Sequence, residues 1–225
     1  MKKKLLIIEA HSDDSAIGAA GFLEKFKHEY EFHFLLMTVS DIEMAHCGPL
    51  SREQRLQEYE NYVGYFDGQW HQDLNVPINA DARLDTIPKR EIVGYIENFL
   101  NKIKPEVIIV QGPSFHHDHT IVYESTIAAT RPTARHCPNE IYIMENPTYI
   151  HSLGPATDFR PDFYIALTKD QMQKKLDLFS QNFPSQIREE SNYLSPEGIR
   201  SWSRYRGIEC RQQYAEAFKT FQRVV

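Results

Sequence analysis

Two short clusters of imidazole and carboxylate side chains are the groups in this sequence most suited to chemistry. Residues 11–14 read HSDD and residues 116–119 read HHDH. In the second cluster, His116 and His119 are three residues apart, so they would share one face of a first helical turn. Joined in space, the clusters would offer histidine and aspartate ligands, plus a spare carboxylate and a spare imidazole. Three protein ligands with an open position are typical of a catalytic zinc site.

Each cluster also has a plainer interpretation. Ser12 or Asp13 alone would suit the N-cap of a helix, and residues 116–119 alone could form a solvated loop. However, both clusters directly follow short apolar runs that are typical of buried strands. Ligands of parallel α/β sheets bind beyond the carboxyl ends of the strands. The shared position therefore favours one site built from both clusters.

The elements that must position these clusters alternate between strand and helix. The predicted strands are Lys4–Ala10, Glu31–Ser40, Leu74–Ile78, Glu106–Gln111, Glu140–Glu145 and Phe163–Thr168. The predicted helices are Ile17–Glu29, Ser51–Phe66, Pro88–Lys104, a segment from the second cluster to about Ala129, Lys169–Phe183 and Ile208–Arg223. This alternation predicts an α/β fold, a Rossmann-like three-layer sandwich with a mostly parallel sheet. We expect a single domain over residues 1–225.

Composition excludes several classes of protein. With 225 residues, 41% hydrophobic and 25% charged, the chain has ordinary globular composition rather than that of a disordered protein. A net charge of −6 argues against nucleic acid as a partner. No apolar run approaches the roughly 20 residues that span a bilayer. Three cysteines without CxxC spacing suit reduced thiols, and we expect a cytoplasmic protein, either monomeric or a homo-oligomer.

Several short segments together resemble one known family. Residues 10–14 (AHSDD) resemble the AHPDD signature of the PIG-L/LmbE-like deacetylases, and residues 116–119 resemble their HPDH signature. Further similarity lies in residues 55–58 (RLQE), 81–84 (DARL), 185–186 (SQ), 206–207 (RG) and 214–218 (YAEAF). The ordered set extends from residue 4 to about residue 218. Members of this family are zinc-dependent enzymes that remove N-acetyl groups from GlcNAc-type sugars.

The resemblance implies a role for each residue of the two clusters. His11, Asp14 and His119 would be the metal ligands. Asp13 would be the general base that accepts a proton from water. His116 would be a cationic stabiliser or proton donor, oriented by Asp118. Zinc suits these ligands, and Fe²⁺ is also compatible with them.

The resemblance also implies substrate-binding residues outside the clusters. Arg55 would hydrogen-bond sugar hydroxyls or a phosphate, Asp81 would bind a sugar hydroxyl, and Gln186 would line the site. The plainer interpretation of Arg55 is an ion pair with Glu58 on a solvated helix face. Nearer the end of the chain, the aromatic residues Tyr193, Trp202 and Tyr205 could form a wall facing the sugar. For Arg206 and Glu216 a structural salt bridge is the simpler expectation.

The sequence departs from the family signatures at Ser12, Ser15 and His117, where proline, glutamate and proline are usual. No expected ligand is lost, so the reaction type is less affected than the choice of substrate. The sequence leaves three alternatives open: a zinc amidase that acts on a non-sugar or thiol-conjugate amide, an inactive family member, and a non-catalytic Mg²⁺-binding α/β module. Histidines argue against the last, because Mg²⁺ prefers oxygen ligands.

Overall fold

The fold is built on a seven-stranded sheet in a computed structural model that describes residues 2–72, 81–147 and 159–224. Its strands are β1 (Lys3–Glu9), β2 (Tyr30–Leu36), β5 (Gln69–His71), β6 (Val107–Gln111), β7 (Glu140–Met144), β8 (Phe163–Leu167) and β9 (Tyr214–Arg223). They lie in the order β5-β2-β1-β6-β7-β9-β8. A separate antiparallel hairpin contains β3 (Ile42–Met44) and β4 (Gly48–Leu50). The predicted strand Leu74–Ile78 lies outside the described residues.

Helices cover both faces of the sheet. They are α1 (Asp14–Gly18), α2 (Ala20–Phe26), α3 (Arg52–Tyr65), α4 (Lys89–Ile103), α5 (His117–Ala129), α6 (Lys169–Asn182) and α7 (Pro196–Glu209). Alternate side chains of β1 explain the two layers: Leu5 packs into a core with residues of α2, α3 and α6, and Leu6 packs with α4 and α5. A strand buried on both faces is apolar throughout. The predicted three-layer α/β architecture is therefore confirmed.

The two clusters, residues 11–14 and 116–119, lie at the topological switch point of the sheet, where the chain adds strands on opposite sides of β1. Strand β1 pairs in parallel with β2 on one side and with β6 on the other. The chain therefore leaves β1 toward one edge of the sheet and returns on its other side to form β6. Residues 11–14 follow β1 and residues 116–119 follow β6, so both clusters occupy the carboxyl ends of adjacent strands. This is the switch point at which such sheets bind ligands.

Local sequence explains most helix boundaries. The Ser51 hydroxyl caps α3 by accepting a hydrogen bond from the Gln54 backbone N–H. The Gln54 side-chain oxygen in turn accepts a hydrogen bond from the Ser51 backbone N–H. Pro88 is the N-cap of α4 rather than its first residue, and Lys104 ends that helix with φ of 56°.

No helix among residues 2–72, 81–147 and 159–224 is long and apolar enough to cross a membrane.

Two helix predictions are corrected by the structure. The predicted helix Ile17–Glu29 is two short helices, α1 and α2, because Ala19 leaves the helical region with φ of −141°. The predicted helix Ile208–Arg223 is wrong: residues 214–223 form β9, which pairs antiparallel with both β7 and β8. The helix lies earlier, as α7, in the stretch that sequence patterns leave unassigned. Ala and Glu in YAEAF favour a helix, but hydrogen bonding to a strand on each side outweighs this local preference.

Candidate active site

The three expected metal ligands, His11, Asp14 and His119, meet at the carboxyl ends of β1 and β6. The Nδ1 atom of His11 lies 3.1 Å from Nε2 of His119. Oδ1 of Asp14 lies 3.2 Å from the same Nε2 atom. All three side chains are buried. Ligands bound tetrahedrally at about 2.0–2.1 Å from one ion stand roughly 3.3 Å apart, which is close to these separations.

The outer hydrogen bonds of both rings turn their remaining nitrogens inward. His119 uses Nδ1 for a 2.8 Å contact with Ser114 Oγ, and His11 uses Nε2 for a 3.1 Å contact with Asp118 Oδ2. The inner nitrogens therefore face each other and the Asp14 carboxylate. Lone pairs that converge in this way need a proton or a cation between them, and metal-binding histidines are held by such outer partners. The donor set fits a divalent ion.

His116 lies in the same cluster of potential ligands. Within the described parts of the chain, one group of ligand atoms within 4.8 Å of one another contains His11, His116 and His119, and a second contains His11, Asp81, His116 and Asp118. Asp14 belongs to neither group, although it contacts His119 directly. The ring centroids of His11 and His116 are 4.5 Å apart. An ion at this position would therefore have more than one set of protein ligands within reach.

Electrostatics separate the two aspartates that follow β1. Burial alone would raise the pKa of Asp14, but the imidazoles of His119 and His11 outweigh it and hold that pKa at about 2. Burial and the negative charge of Asp14 instead raise the pKa of Asp13. Asp13 is the N-cap of α1, yet its side chain makes no capping hydrogen bond. Asp14 is therefore the permanently charged partner, whereas Asp13 is suited to exchange a proton.

His116 is held as a neutral ring. Its burial, followed by the charges of His11 and His119, lowers its pKa to about 4. Its Nδ1 accepts a 3.3 Å hydrogen bond from the backbone N–H of Asp118, so the proton of the ring is on Nε2. This arrangement favours a neutral hydrogen-bond donor over the cationic group that the family resemblance implies.

The Asp118 carboxylate binds His11 and the turn that follows Asp81. It accepts hydrogen bonds from the backbone N–H groups of Ala82 at 2.6 Å and Leu84 at 3.0 Å, in addition to its contact with His11. Burial would lower the pKa of His11, but the Asp118 hydrogen bond and nearby carboxylates raise it to about 9. Asp118 thus fixes His11 and the turn after Asp81. Its predicted role in orienting His116 stays a prediction.

Arg55 and Asp81 form a buried ion pair beside the histidines. The Arg55 guanidinium donates to Asp81 Oδ2 and, at 2.9 Å, to the Ser40 carbonyl oxygen. The other carboxylate oxygen of Asp81 lies 3.6 Å from His11 Nε2. Arg55 is 4% exposed, so it is not on a solvated face and does not pair with Glu58. The structure brings both expected substrate-binding residues to the edge of the histidine cluster.

Gln186 is a buried residue of a short turn that is held by α3. The Glu58 carboxylate accepts hydrogen bonds from the Ser185 hydroxyl at 2.6 Å and the Ser185 backbone N–H at 3.1 Å. Gln186 donates to the Ser185 hydroxyl oxygen at 3.4 Å. Helix α3 therefore holds two separate loops, one through Arg55 and the other through Glu58. The proposed contact of Gln186 with substrate stays a prediction.

Sequence patterns missed two polar groups that support the site. Ser114 holds His119, and Asn146 Nδ2 donates to Asp14 Oδ1 at 3.2 Å. Asn146 follows the carboxyl end of β7, so the same positional argument that selected the two clusters could have found it. The sequence offers no comparable signal for Ser114 beyond its place two residues before His116.

The departures from the family signatures lie around this site. Ser15 is buried away from the histidines, where its backbone N–H donates to Glu9 at 2.8 Å and its hydroxyl donates to Tyr62 at 3.3 Å. Ser12 is buried, whereas the His117 side chain is exposed. Glu9 therefore supplies a carboxyl group at the start of α1, beside the position where the family usually has glutamate.

Arg206 and Glu216 form two separate ion pairs rather than one with each other. Arg206 binds Glu145 through two nitrogens, and Trp202 Nε1 donates to the same carboxylate at 2.8 Å. Glu216 pairs with Lys175 at 2.7 Å. It also accepts hydrogen bonds from two backbone N–H groups at the start of α2. Both carboxylates are buried and tie helices to the strands β7 and β9.

One protein family matches the chain by sequence. The profile of PIG-L, described as GlcNAc-PI de-N-acetylase, matches residues 6–130. No curated protein shows a significant match to the chain.

Solved structures share the fold over nearly the whole chain. The N,N'-diacetylchitobiose deacetylase of Pyrococcus horikoshii is 21% identical, with a TM-score of 0.75 over 97% of this chain and 84% of its own. Teicoplanin deacetylase Orf2, solved in a zinc-inhibited form, is 12% identical, with a TM-score of 0.72 over 97% of each chain. GalB, the 4-carboxy-2-hydroxymuconate hydratase of Pseudomonas putida KT2440, is 15% identical, with a TM-score of 0.71 over 99% and 98%. At these identities the similarity establishes the fold alone.

Proposed function

Because this chain belongs to the PIG-L family, we propose that it is a metal-dependent hydrolase that removes the N-acetyl group from an N-acetylated amino sugar or sugar conjugate. The products would be acetate and a free amine. The observation that carries the proposal is the convergence of His11 Nδ1, His119 Nε2 and Asp14 Oδ1, next to a second carboxylate with a raised pKa.

His11, Asp14 and His119 would hold the ion, and His116 lies close enough to contribute. When bound, a divalent ion such as Zn²⁺ or Fe²⁺ would supply Lewis-acid activation of water and of the amide carbonyl. Asn146 and Ser114 would support the ligands, because each donates to or contacts one of them. The imidazole and carboxylate donors suit zinc or ferrous iron better than Mg²⁺.

Asp13 is the proposed general base. It would accept a proton from the attacking water, and the raised pKa of its carboxyl would help it retain that proton until the C–N bond breaks. Asp13 would then pass the same proton to the nitrogen of the departing amine. The hydroxyl of the water stays on the acetyl carbon, so the products are acetate and the amine. Asp14 is unsuited to this role because its pKa is held at about 2.

His116 would stabilise the negative charge that develops on the amide oxygen. Its proton is on Nε2, so the neutral ring can donate a hydrogen bond to that oxygen. Asp81, held by Arg55, would accept a hydrogen bond from a sugar hydroxyl beside the histidines. Gln186 would line the same side through its turn.

Acetate release from a panel of N-acetylated amino sugars tests this function. The panel contains free sugars, disaccharides and nucleotide-linked or lipid-linked forms, and bound metal is quantified in the same sample. A structurally similar deacetylase was solved in a zinc-inhibited form, so Zn²⁺ and Fe²⁺ are titrated separately. We expect acetate release that a chelator abolishes. Bound metal without release from any sugar would contradict sugar deacetylation and favour an amidase or an inactive protein.

A further inference from the structure

A groove of about 970 Å³ opens between α7 and the start of β8. Its walls come from the segment leading into β8, the loop that precedes α7, and the exposed side of α7 itself. It lies outside the histidine cluster, and the proposed reaction uses none of its lining residues. Volumes of this size suit a small-molecule ligand.

Two aromatic rings of α7 form one wall of the groove. Trp202 is fixed because its Nε1 donates to Glu145, and its ring centroid lies 5.6 Å from that of Tyr205. The guanidinium of Arg206 lies 5.2 Å from the centroid of Trp202 and 5.0 Å from that of Tyr205. Tyr205 is nevertheless 51% exposed. A rigid, exposed aromatic surface of this kind offers large contact area at little entropic cost.

The groove is connected to the reaction centre through consecutive residues. Glu145 holds Trp202 and Arg206, and the next residue, Asn146, donates to the Asp14 carboxylate. On the other side, Tyr193 lines the groove. Burial raises the pKa of Tyr193, the charge of Arg188 lowers it and the charge of Asp13 raises it, so that tyrosine lies within electrostatic range of the proposed base.

The charge of the groove restricts what that second group can be. Among the described lining residues, three are glutamates and two are arginines: Glu190, Glu197, Glu209, Arg160 and Arg206. Arg206 is already paired with Glu145 and Glu209. Glu197 is likewise paired with Arg200 at 3.7 Å, so the charged groups of the groove offer a phosphate little attraction. The hydroxyl and amide groups of Ser191, Asn192 and Ser201 suit an uncharged polar ligand.

We infer that this groove binds a second, uncharged sugar ring attached to the N-acetylated one, and that it disfavours phosphate-linked conjugates. The aromatic wall would stack on the apolar face of the ring, and the opposite side would hydrogen-bond its hydroxyls. The inference rests on the proposed function for the position of the first ring. It adds the class of the linked group: a neutral oligosaccharide rather than a nucleotide-linked or phosphoinositol-linked sugar.

Kinetics on three substrates test the inference. With the metal-loaded enzyme, we expect kcat/KM for N,N'-diacetylchitobiose to exceed that for N-acetylglucosamine by at least tenfold, and UDP-N-acetylglucosamine to be the poorest. Tyr205→Ala should raise KM for the disaccharide about tenfold and should raise KM for the monosaccharide much less. Ile208→Ala is the matched control, because Ile208 is 61% exposed on the same helix and does not line the groove. Equal effects of the two variants, or a preference for the phosphate-linked sugar, would overturn the inference.

A binding measurement separates this inference from the proposed function. The chain has two tryptophans, and Trp70 lies on β5, away from α7. In the Asp13→Asn variant, which should bind without turnover, we expect the disaccharide to change tryptophan fluorescence and Trp202→Phe to remove the change. Binding that Tyr205→Ala weakens, without acetate release from any sugar by the wild type, would contradict the proposed function but support the groove. Turnover of the monosaccharide with no binding preference for the disaccharide would support the proposed function but contradict the groove inference.

Discussion

Ser114 Oγ lies 2.8 Å from Nδ1 of His119, and this contact turns the other ring nitrogen toward Asp14 and His11. Ser114 also accepts a 3.1 Å hydrogen bond from the His116 backbone N–H. One hydroxyl therefore sets both the orientation of a candidate ligand and the start of the helix that carries it. The first prediction follows from this double role.

Replacing Ser114 with alanine should weaken metal binding by roughly 10–100-fold, because losing the outer partner of a ligating histidine has effects of that size. Competition with a chromophoric chelator measures the affinity. Ser114→Thr, which keeps the hydroxyl, should recover most of it. Ser125→Ala is the control, since Ser125 is a buried serine of α5 whose hydroxyl has no hydrogen-bond partner among the described residues. Unchanged affinity in Ser114→Ala would contradict the assignment of His119 as a ligand.

The two proposed classes of site residue should separate in their metal content. Asp13→Asn should retain metal and lose turnover by about 10²–10⁴-fold, since it removes only the proton acceptor. His119→Ala should lose metal and turnover together. Metal analysis after dialysis, combined with acetate release, distinguishes them. Near wild-type turnover of Asp13→Asn would mean that another group is the base.

The buried ion pair between Arg55 and Asp81 should be important for stability. Arg55→Ala leaves a carboxylate buried without its cation, at a cost of about 3–5 kcal/mol in the free energy of unfolding. Denaturant titration measures this loss. Arg52→Ala, three residues earlier on α3 and partly exposed, should change stability by no more than about 0.5 kcal/mol. Equal losses in the two variants would indicate that the contact with Asp81 contributes little.

Glu9 should make the stability of the protein depend on pH. Burial raises the pKa of Glu9 from 4.5 to about 8, so the protonated carboxyl is the form that the fold favours. The stabilisation that protonated Glu9 provides is complete below pH 4.5 and is lost as the pH rises through about 8. Between these two values the free energy of unfolding falls by about 1.4 kcal/mol per pH unit.

Glu9→Gln removes that titration, and a glutamine can still accept from the Ser15 N–H and donate to the Tyr59 hydroxyl. The variant should therefore gain stability relative to the wild type as the pH rises from about 5 to 8. Unfolding measured across this range provides the test, with Glu53→Gln, an exposed glutamate on α3, as the control. A constant difference between Glu9→Gln and the wild type would show that Glu9 does not titrate in this window.

Local patterns predict most of this fold because its central strands are short apolar runs and four of the described helices, α3, α5, α6 and α7, begin at a residue whose side chain caps them. Strand β9 could not be predicted in this way, since YAEAF is equally compatible with a helix and only its neighbours β7 and β8 decide. The position of the two histidine clusters could be predicted because parallel strands share one carboxyl edge. The support from Ser114 and Asn146 depends on side-chain geometry that residue spacing does not encode.

The position of β9 also constrains how the protein reaches its folded state. It is synthesised after both β7 and β8, yet it lies between them, and in the described sheet β8 pairs with β9 alone. Until β9 enters, one side of β7 and the whole of β8 present unpaired backbone groups, which are the usual template for aggregation. The sheet therefore cannot be completed until β9 has been synthesised, and variants that weaken the β9 pairings should be recovered mainly as insoluble protein.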